Sequence, residues 1–301
     1  MLTSTRVLLQ GILDYAGTFP PASLPLADAI ANYARDRSSP ERWLLGRLVV
    51  PARSLPEFEP LALALPPVGP KASWDLSVIL GADPADQLDK ALLFNQRTTT
   101  GARVASVEFP ALRPGEVRDL KGRVPETIDA FFETPFDADL LHRLDAIAAI
   151  GSLAKVRTGG VTAGGFPGAE SLVRFLGGCA DAGIACKATA GLHHAVRGCY
   201  ALSDEPGGQE AQKAQKATMH GFLNVCVAAA LVRTGAGAAE AVDALRESQA
   251  DAFQFGAGGV GWRDRLITND DLAATRRQLF RSFGSCAFRE PVDELARLRL
   301  L

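Results

Sequence analysis

"SLAKVRTGGVTAGGFPGAESLVRFLGGCADAGIACKAT", from Ser152 to Thr189, decides how this chain folds. It opens and closes on short apolar runs, "SLAKVR" and "IACKAT". Between them Leu172, Phe175, Leu176 and Cys179 recur at the three- and four-residue spacing of a helix with one buried face. A strand, a helix and a strand in that order form a parallel crossover unit. Each run also places one lysine, Lys155 and Lys187, just before a glycine-containing turn.

The same alternation extends in both directions. Upstream, "ILDYAG", "LGRLVVP", "WDLSVIL", "RVASVEF" and "IDAFFET" read as strands, each separated from the next by a loop or a helical pattern. Asp83-Pro84 is a good cap and first position for one of those helices. Downstream, a long helical stretch is expected from about Glu210 to Val232, another near Ala238 to Arg246, and a strand at "DAFQF", Asp251 to Phe255. A tail helix is expected from about Asp270 to Phe283, and "SDEPGGQEAQ" reads as a surface loop. Eight strand-like runs among helices predict an α/β fold, a single (β/α)8 TIM barrel over residues 1–301 with an extra C-terminal helical segment. A doubly wound sheet is the alternative, weakened by the lack of GxGxxG after the first strand.

Composition narrows the function. At 301 residues and 47% hydrophobic, the chain can bury a large core without staples. A net charge of −2 with interspersed signs offers no basic stripe, so nucleic acid is not an expected partner. Five cysteines without a CxxC pair fit neither a zinc module nor a disulfide framework, which predicts a reducing cytoplasm. "MLTSTRVLLQ" has no signal-peptide pattern, and "LALALPP" is too short for a bilayer, so no membrane partner is expected. A homo-oligomer is allowed, and nothing in the chain sets its number.

Side chains alternate along a strand, so Leu153, Lys155 and Arg157 share one face, as do Ala185, Lys187 and Thr189. If both faces point into the barrel, two ammonium groups meet near its C-terminal mouth. Like charge and desolvation would each favour a neutral amine. Such an amine attacks a carbonyl to form a Schiff base.

"KVRTGG" and "KATAGL" together resemble the paired lysine motifs of deoxyribose-phosphate aldolase and its class I aldolase relatives. The resemblance implies a lyase that makes or breaks a C–C bond of a small, anionic carbonyl substrate, with no cofactor. It implies Lys155 as the Schiff-base residue and Lys187 as the partner that tunes it. It also implies Thr158 and Gly159 near a phosphate, and Gly284 and Ser285 of "RSFGSCAF" at the family's C-terminal phosphate site.

Other residues are candidates by position. Glu108 and Glu133 end the fourth and fifth strands, where barrel catalytic groups sit, and suit acid–base work or a salt bridge. Asp14 and Tyr15 are similar but weaker. His193 and His194 follow the seventh strand. His220 and Asn224 are one helical turn apart and share a direction, so they are expected to contact substrate. With a glutamate, the three histidines form the alternative reading, a metal-dependent lyase or hydrolase. Gly159, Gly160, Gly164, Gly165 and Gly168 expose backbone N–H groups that can cradle an anion, aided by Arg157 and Arg197. A non-catalytic barrel that binds an anionic metabolite is the third reading.

Overall fold

The computed structural model describes residues 2–65, 74–202 and 215–301. The surface loop expected at Ser203 to Gln212 lies outside the described residues. Eight parallel strands close into a barrel. They are β1 (Leu13–Tyr15), β2 (Leu45–Pro51), β3 (Trp74–Ile79), β4 (Ala102–Phe109), β5 (Asp129–Glu133), β6 (Leu153–Arg157), β7 (Cys186–Thr189) and β13 (Phe280–Ser285). β1 closes the ring by pairing with both β2 and β13. The fold is a (β/α)8 TIM barrel.

The helices follow from the sequence that flanks each strand. α1 (Thr3–Leu9) precedes β1, and α2 (Leu26–Asp36), α3 (Leu55–Leu63) and α4 (Pro84–Arg97) follow β1, β2 and β3. Asp83 caps α4 by accepting from the Asp86 amide at 3.1 Å, as its position before proline predicts. α5 (Pro114–Lys121), α6 (Leu140–Ala149) and α7 (Ala169–Asp181) follow β4, β5 and β6. α8 (Phe222–Arg233) is apolar on nearly every side, with Phe222 through Leu231 buried, because α7, α9 (Ala238–Arg246) and α10 (Asn269–Gln278) all pack against it. α11 (Arg289–Arg297) comes last.

Two small antiparallel sheets interrupt the alternation. One pairs β8 (Gly198–Ala201) with β9 (Lys216–Met219), where the sequence pattern predicts the start of a long helix; the helix begins only at Phe222. The other joins β10 (Phe253–Phe255), β11 (Gly259–Trp262) and β12 (Arg265–Thr268). "DAFQF" is therefore not the eighth barrel strand; it turns back on β11, and Phe253 pairs with Trp262.

The eighth strand is β13, which overlaps the end of the stretch expected as a helix to Phe283; that helix stops at Gln278. Phe280 and Phe283 stand three apart, a helical spacing. A register irregularity between Phe280 and Ser282 lets both phenylalanines reach the outer core while the strand stays extended. Phe283 stacks on Phe222 of α8 at 5.2 Å between ring centres.

Outward side chains of the strands pack apolar against the helices, as the stacked Phe109 and Phe132 rings do at 4.4 Å. The inside of the barrel is different. Branched apolar residues usually fill it. Here Asp14, Ser77, Ser106, Glu108, Lys155, Lys187 and Ser282 are all buried and connected by hydrogen bonds or ion pairs.

Candidate active site

Five strands each contribute one ionisable group to the inner floor: Asp14 from β1, Glu108 from β4, Glu133 from β5, Lys155 from β6 and Lys187 from β7. Glu133, Lys155 and Lys187 are register neighbours across three adjacent strands, so alternation points all three the same way. Lys187 Nζ donates to Asp14 Oδ2 at 2.6 Å and to Glu108 Oε1 at 2.8 Å. Lys155 Nζ lies 3.4 Å from Glu108 Oε2 and 3.1 Å from Glu133 Oε2. Glu108 thus stands between the two ammonium groups, and the bare lysine–lysine repulsion expected from sequence gives way to a shared counterion.

Serines complete the floor. Ser106 Oγ donates to Ser77 Oγ at 2.7 Å, and Ser77 Oγ donates to Glu108 Oε1 at 2.7 Å. Ser282 Oγ donates to Asp14 Oδ2 at 2.8 Å, and the Arg47 amide donates to Asp14 Oδ1 at 2.9 Å. Burial alone would raise the Glu108 carboxyl, but Lys187 and Lys155 outweigh it and hold it down to about 2. Burial would lower Lys187, yet Asp14 and Glu108 raise it above the usual lysine value. Glu108 and Lys187 are therefore both charged at neutral pH, and Lys187 is locked in place. Glu108 Oε2 is buried without a hydrogen-bond donor, turned toward Lys155.

Above this floor lies a cavity of about 360 Å³, lined by Glu108, Glu133, Lys155 and Lys187. Phe19 and Pro21 after β1 and Phe166 after β6 supply apolar wall. The ends of β6 and β7 approach closely: a Cβ on Gly159 would meet the Gly191 Cα at 2.5 Å. Thr158 fastens the same junction by donating to the Ala190 carbonyl at 2.5 Å.

The mouth carries a second set of charges. His193 Nδ1 lies 3.5 Å from Glu290 and 4.0 Å from Cys286 Sγ. Burial opposes protonation of His193, but Cys286 and Glu290 outweigh it and raise the imidazole above its ordinary value. His194 pairs with Glu294 at 2.7 Å and stacks on Tyr200. Glu290 and Glu294 stand four apart on α11; Glu290 meets both histidines, at 3.5 Å and 3.9 Å, and Glu294 meets His194. That spacing after the last strand was the available sequence signal for them.

Of the residues singled out from sequence, Arg157, Gly160 and Gly284 also line the cavity, with Arg157 exposed at its rim. Gly159 and Thr158 shape the junction beneath it. Ser285 is buried, its hydroxyl accepting from the Ala287 amide at 3.3 Å. His220, Asn224 and Arg197 lie off the cavity wall. His220 Nε2 meets the Pro167 carbonyl at 2.8 Å. Asn224 accepts from the Arg197 amide and donates to the Ala244 and Glu247 carbonyls, each at 2.8 Å, tying α8 to its neighbours. His220 stands before the first residue of α8 and Asn224 on it, so the helical turn expected to align them does not include His220. The three histidines hence do not converge, and among the described residues no group of three or more His, Cys, Asp or Glu side chains is arranged to hold a metal.

Ser77, Ser106 and Ser282 were not singled out. Their signal was a polar residue inside an otherwise apolar strand run. No protein-family model, curated protein or solved structure matches the chain. No helix among the described residues is long and apolar enough to cross a membrane.

Proposed function

We propose that the protein is a Schiff-base lyase that makes or breaks a C–C bond of a small anionic carbonyl compound, with Lys155 as the nucleophile. One observation carries this reading: of the two lysines that line the cavity, Lys155 is held loosely between two carboxylates, whereas Lys187 is locked by two short bonds.

The chemistry follows from the charges. The Lys155 ammonium gives a proton to Glu133, the carboxylate 3.1 Å away that opens to the cavity. The freed nitrogen lone pair attacks the carbonyl carbon, and the carbonyl oxygen takes a nitrogen-bound proton to give a carbinolamine. Glu133 returns its proton to that hydroxyl, which leaves as water. The product iminium carries the single positive charge that the ammonium carried. Glu108 and Glu133 are thus already oriented for it, which is stabilisation without reorganisation. The iminium draws in the electron pair of the adjacent breaking C–C bond, and the carboxylate of Glu133 takes the hydroxyl proton of the departing aldehyde. Lys187 positions Glu108 and does not react. Arg157 at the rim offers a forked contact to the anionic end of the substrate. A cavity of about 360 Å³ suits a compound of a few carbons with one phosphate or carboxylate.

The test is reductive trapping. The protein is incubated with a panel of small aldehydes, ketones and phosphorylated carbonyls, reduced with borohydride and mapped by peptide mass spectrometry. The adduct is expected on Lys155 and absent from Lys155→Met. Label spread over surface lysines at the rate of free amine would overturn the reading.

A further inference from the structure

The opposite end of the barrel is not closed by a packed plug. An open basin of about 1360 Å³ lies at the N-terminal ends of the strands. Six arginines line it: Arg37, Arg42, Arg47, Arg276, Arg277 and Arg281. They come from separate places in the chain: the end of α2, the approach to β2, β2 itself, α10 and the start of β13. The fold gathers them from distant stretches, so no basic run announces them in the sequence.

The acids of the basin neutralise only one of the six, Arg47. Asp14 is held by Lys187, Asp75 by Arg103 at 2.6 Å and Asp129 by Arg47 at 2.6 Å. Among the described residues, no carboxylate lies within ion-pair distance of Arg37, Arg42, Arg276, Arg277 or Arg281. Arg276 donates to four backbone carbonyls, those of Leu8, Gln10, Phe280 and Arg281, so it lends the basin positive charge while most of its N–H groups are already engaged. Arg37 stacks over Trp74 at 5.2 Å, which fixes its plane and leaves its N–H edges available. This concentration of positive charge at one end contrasts with a chain whose net charge is −2.

We propose that this basin is a binding site for a small multivalent anion of the polyphosphate class. Guanidinium forks bind phosphoryl oxygens two at a time, and several forks around one concavity favour a ligand with several charged groups over a single phosphate. The concave shape favours a small molecule over a flat protein partner. The site is separate from the lysine cavity: Asp14 forms part of the basin wall, and its bond to Lys187 makes the partition between the two. The proposal stands on the basin alone and does not depend on the chemistry at Lys155.

Isothermal titration with inorganic tripolyphosphate, at an ionic strength near 0.15 M where exposed charges are screened beyond about 8 Å, tests it. One saturable site per chain is expected, with tripolyphosphate binding far more tightly than inorganic phosphate. Arg42, Arg277 and Arg281 are exposed, so the triple variant Arg42→Ala/Arg277→Ala/Arg281→Ala is expected to keep the unfolding midpoint of the anion-free protein. Its affinity should fall by about tenfold or more, through lost charge-assisted hydrogen bonds. Arg42→Ala alone should give a smaller loss in the same direction. Absence of a saturable site, equal binding of phosphate and tripolyphosphate, or unchanged affinity in the triple variant would each overturn the proposal. So would self-association through this end of the barrel that tripolyphosphate does not compete away.

Discussion

Glu133 Oε2 lies 3.1 Å from the amine of Lys155, its register partner on the neighbouring strand. It is also the more exposed of the two carboxylates that flank that amine. A group that takes a proton from Lys155 and returns it to a departing hydroxyl must reach both the amine and the substrate. Glu133→Gln keeps the shape and removes the basicity. The rate of reductive trapping at Lys155 should fall about a hundredfold or more, while the unfolding midpoint changes little. An unaltered trapping rate would remove Glu133 from the proton path.

Glu108 links stability to acidity. Its folded value of about 2 lies below the ordinary 4.5. A depressed carboxyl contributes stability that is present above the unfolded value and lost as pH falls through the folded one. Wild-type stability should therefore drop between pH 4.5 and about 2, by roughly 3 kcal/mol at about 1.36 kcal/mol per pH unit. Denaturant titrations across that window measure it. Glu108→Gln should be less stable at pH 7 by about 3–5 kcal/mol, because it strips Lys187 of a buried partner. It should also flatten the acid slope. A slope equal to wild type would mean that other carboxylates carry the acid sensitivity.

The position of these acids shows what is readable from sequence in this barrel. Seven barrel strands announce themselves as apolar runs because their outward faces pack on helices, and Lys155, Lys187, Glu108 and Glu133 stand out against those runs. β13 does not, because its inner face carries Ser282 and Gly284 and its bulged phenylalanines imitate a helix. Asp14 looks minor in sequence, since a strand of three residues gives little alternation to judge by. Its partners Lys187 and Ser282 lie 173 and 268 residues away. His220 and Asn224 mislead for another reason: the spacing assumes one helix, but α8 begins only at Phe222, so His220 meets the Pro167 carbonyl while Asn224 turns to those of Ala244 and Glu247.

The His193–Glu290 pair at the mouth carries its own pH signature. His193 is raised above its ordinary 6.5, toward 10, against burial and by Cys286 and Glu290. A raised histidine contributes stability that is fully present below the unfolded value and is lost as pH rises through the folded one. Glu290→Gln removes one of the two supports, so burial should pull the imidazole down. Ring-proton NMR should then show His193 titrating at lower pH in the variant, and the alkaline loss of stability should begin earlier. Identical titration curves for the two proteins would show that Glu290 does not hold the charge.

Gly191 is a tight point of the wall, with φ of +75° and a Cβ placed on it only 2.6 Å from the Gly159 Cα. An alanine there meets backbone on one side and an unfavourable dihedral on the other. Gly191→Ala should cost about 2 kcal/mol or more in denaturant unfolding. It should also slow trapping at Lys155, since β6 and β7 must part. Gly164 has open space around its virtual Cβ, so Gly164→Ala should leave both measurements near wild type.

Lys187→Met separates an electrostatic role from a chemical one. The substitution fills much of the lysine volume but removes the cation that Asp14 and Glu108 share. Asp14 then loses its ion-pair partner and Glu108 keeps only Lys155, 3.4 Å away, a loss of about 3–5 kcal/mol at pH 7. The sign of the pH dependence should also invert. In wild type, Glu108 is depressed, and acid destabilises through the window from 4.5 to about 2. In the variant, burial and mutual repulsion raise at least one of the two carboxyls above its unfolded value, so the folded state takes up a proton first. Stability should consequently rise as pH falls from 7 toward the ordinary carboxylate range, before any acid denaturation begins. Trapping should still label Lys155, more slowly, because Glu108 is no longer held in position beside it. If the variant instead loses stability monotonically on acidification, as wild type does, Lys187 is not the counterion that keeps this floor ionised. If the label disappears from Lys155 while the fold is intact, Lys187 itself takes part in the bond-forming step.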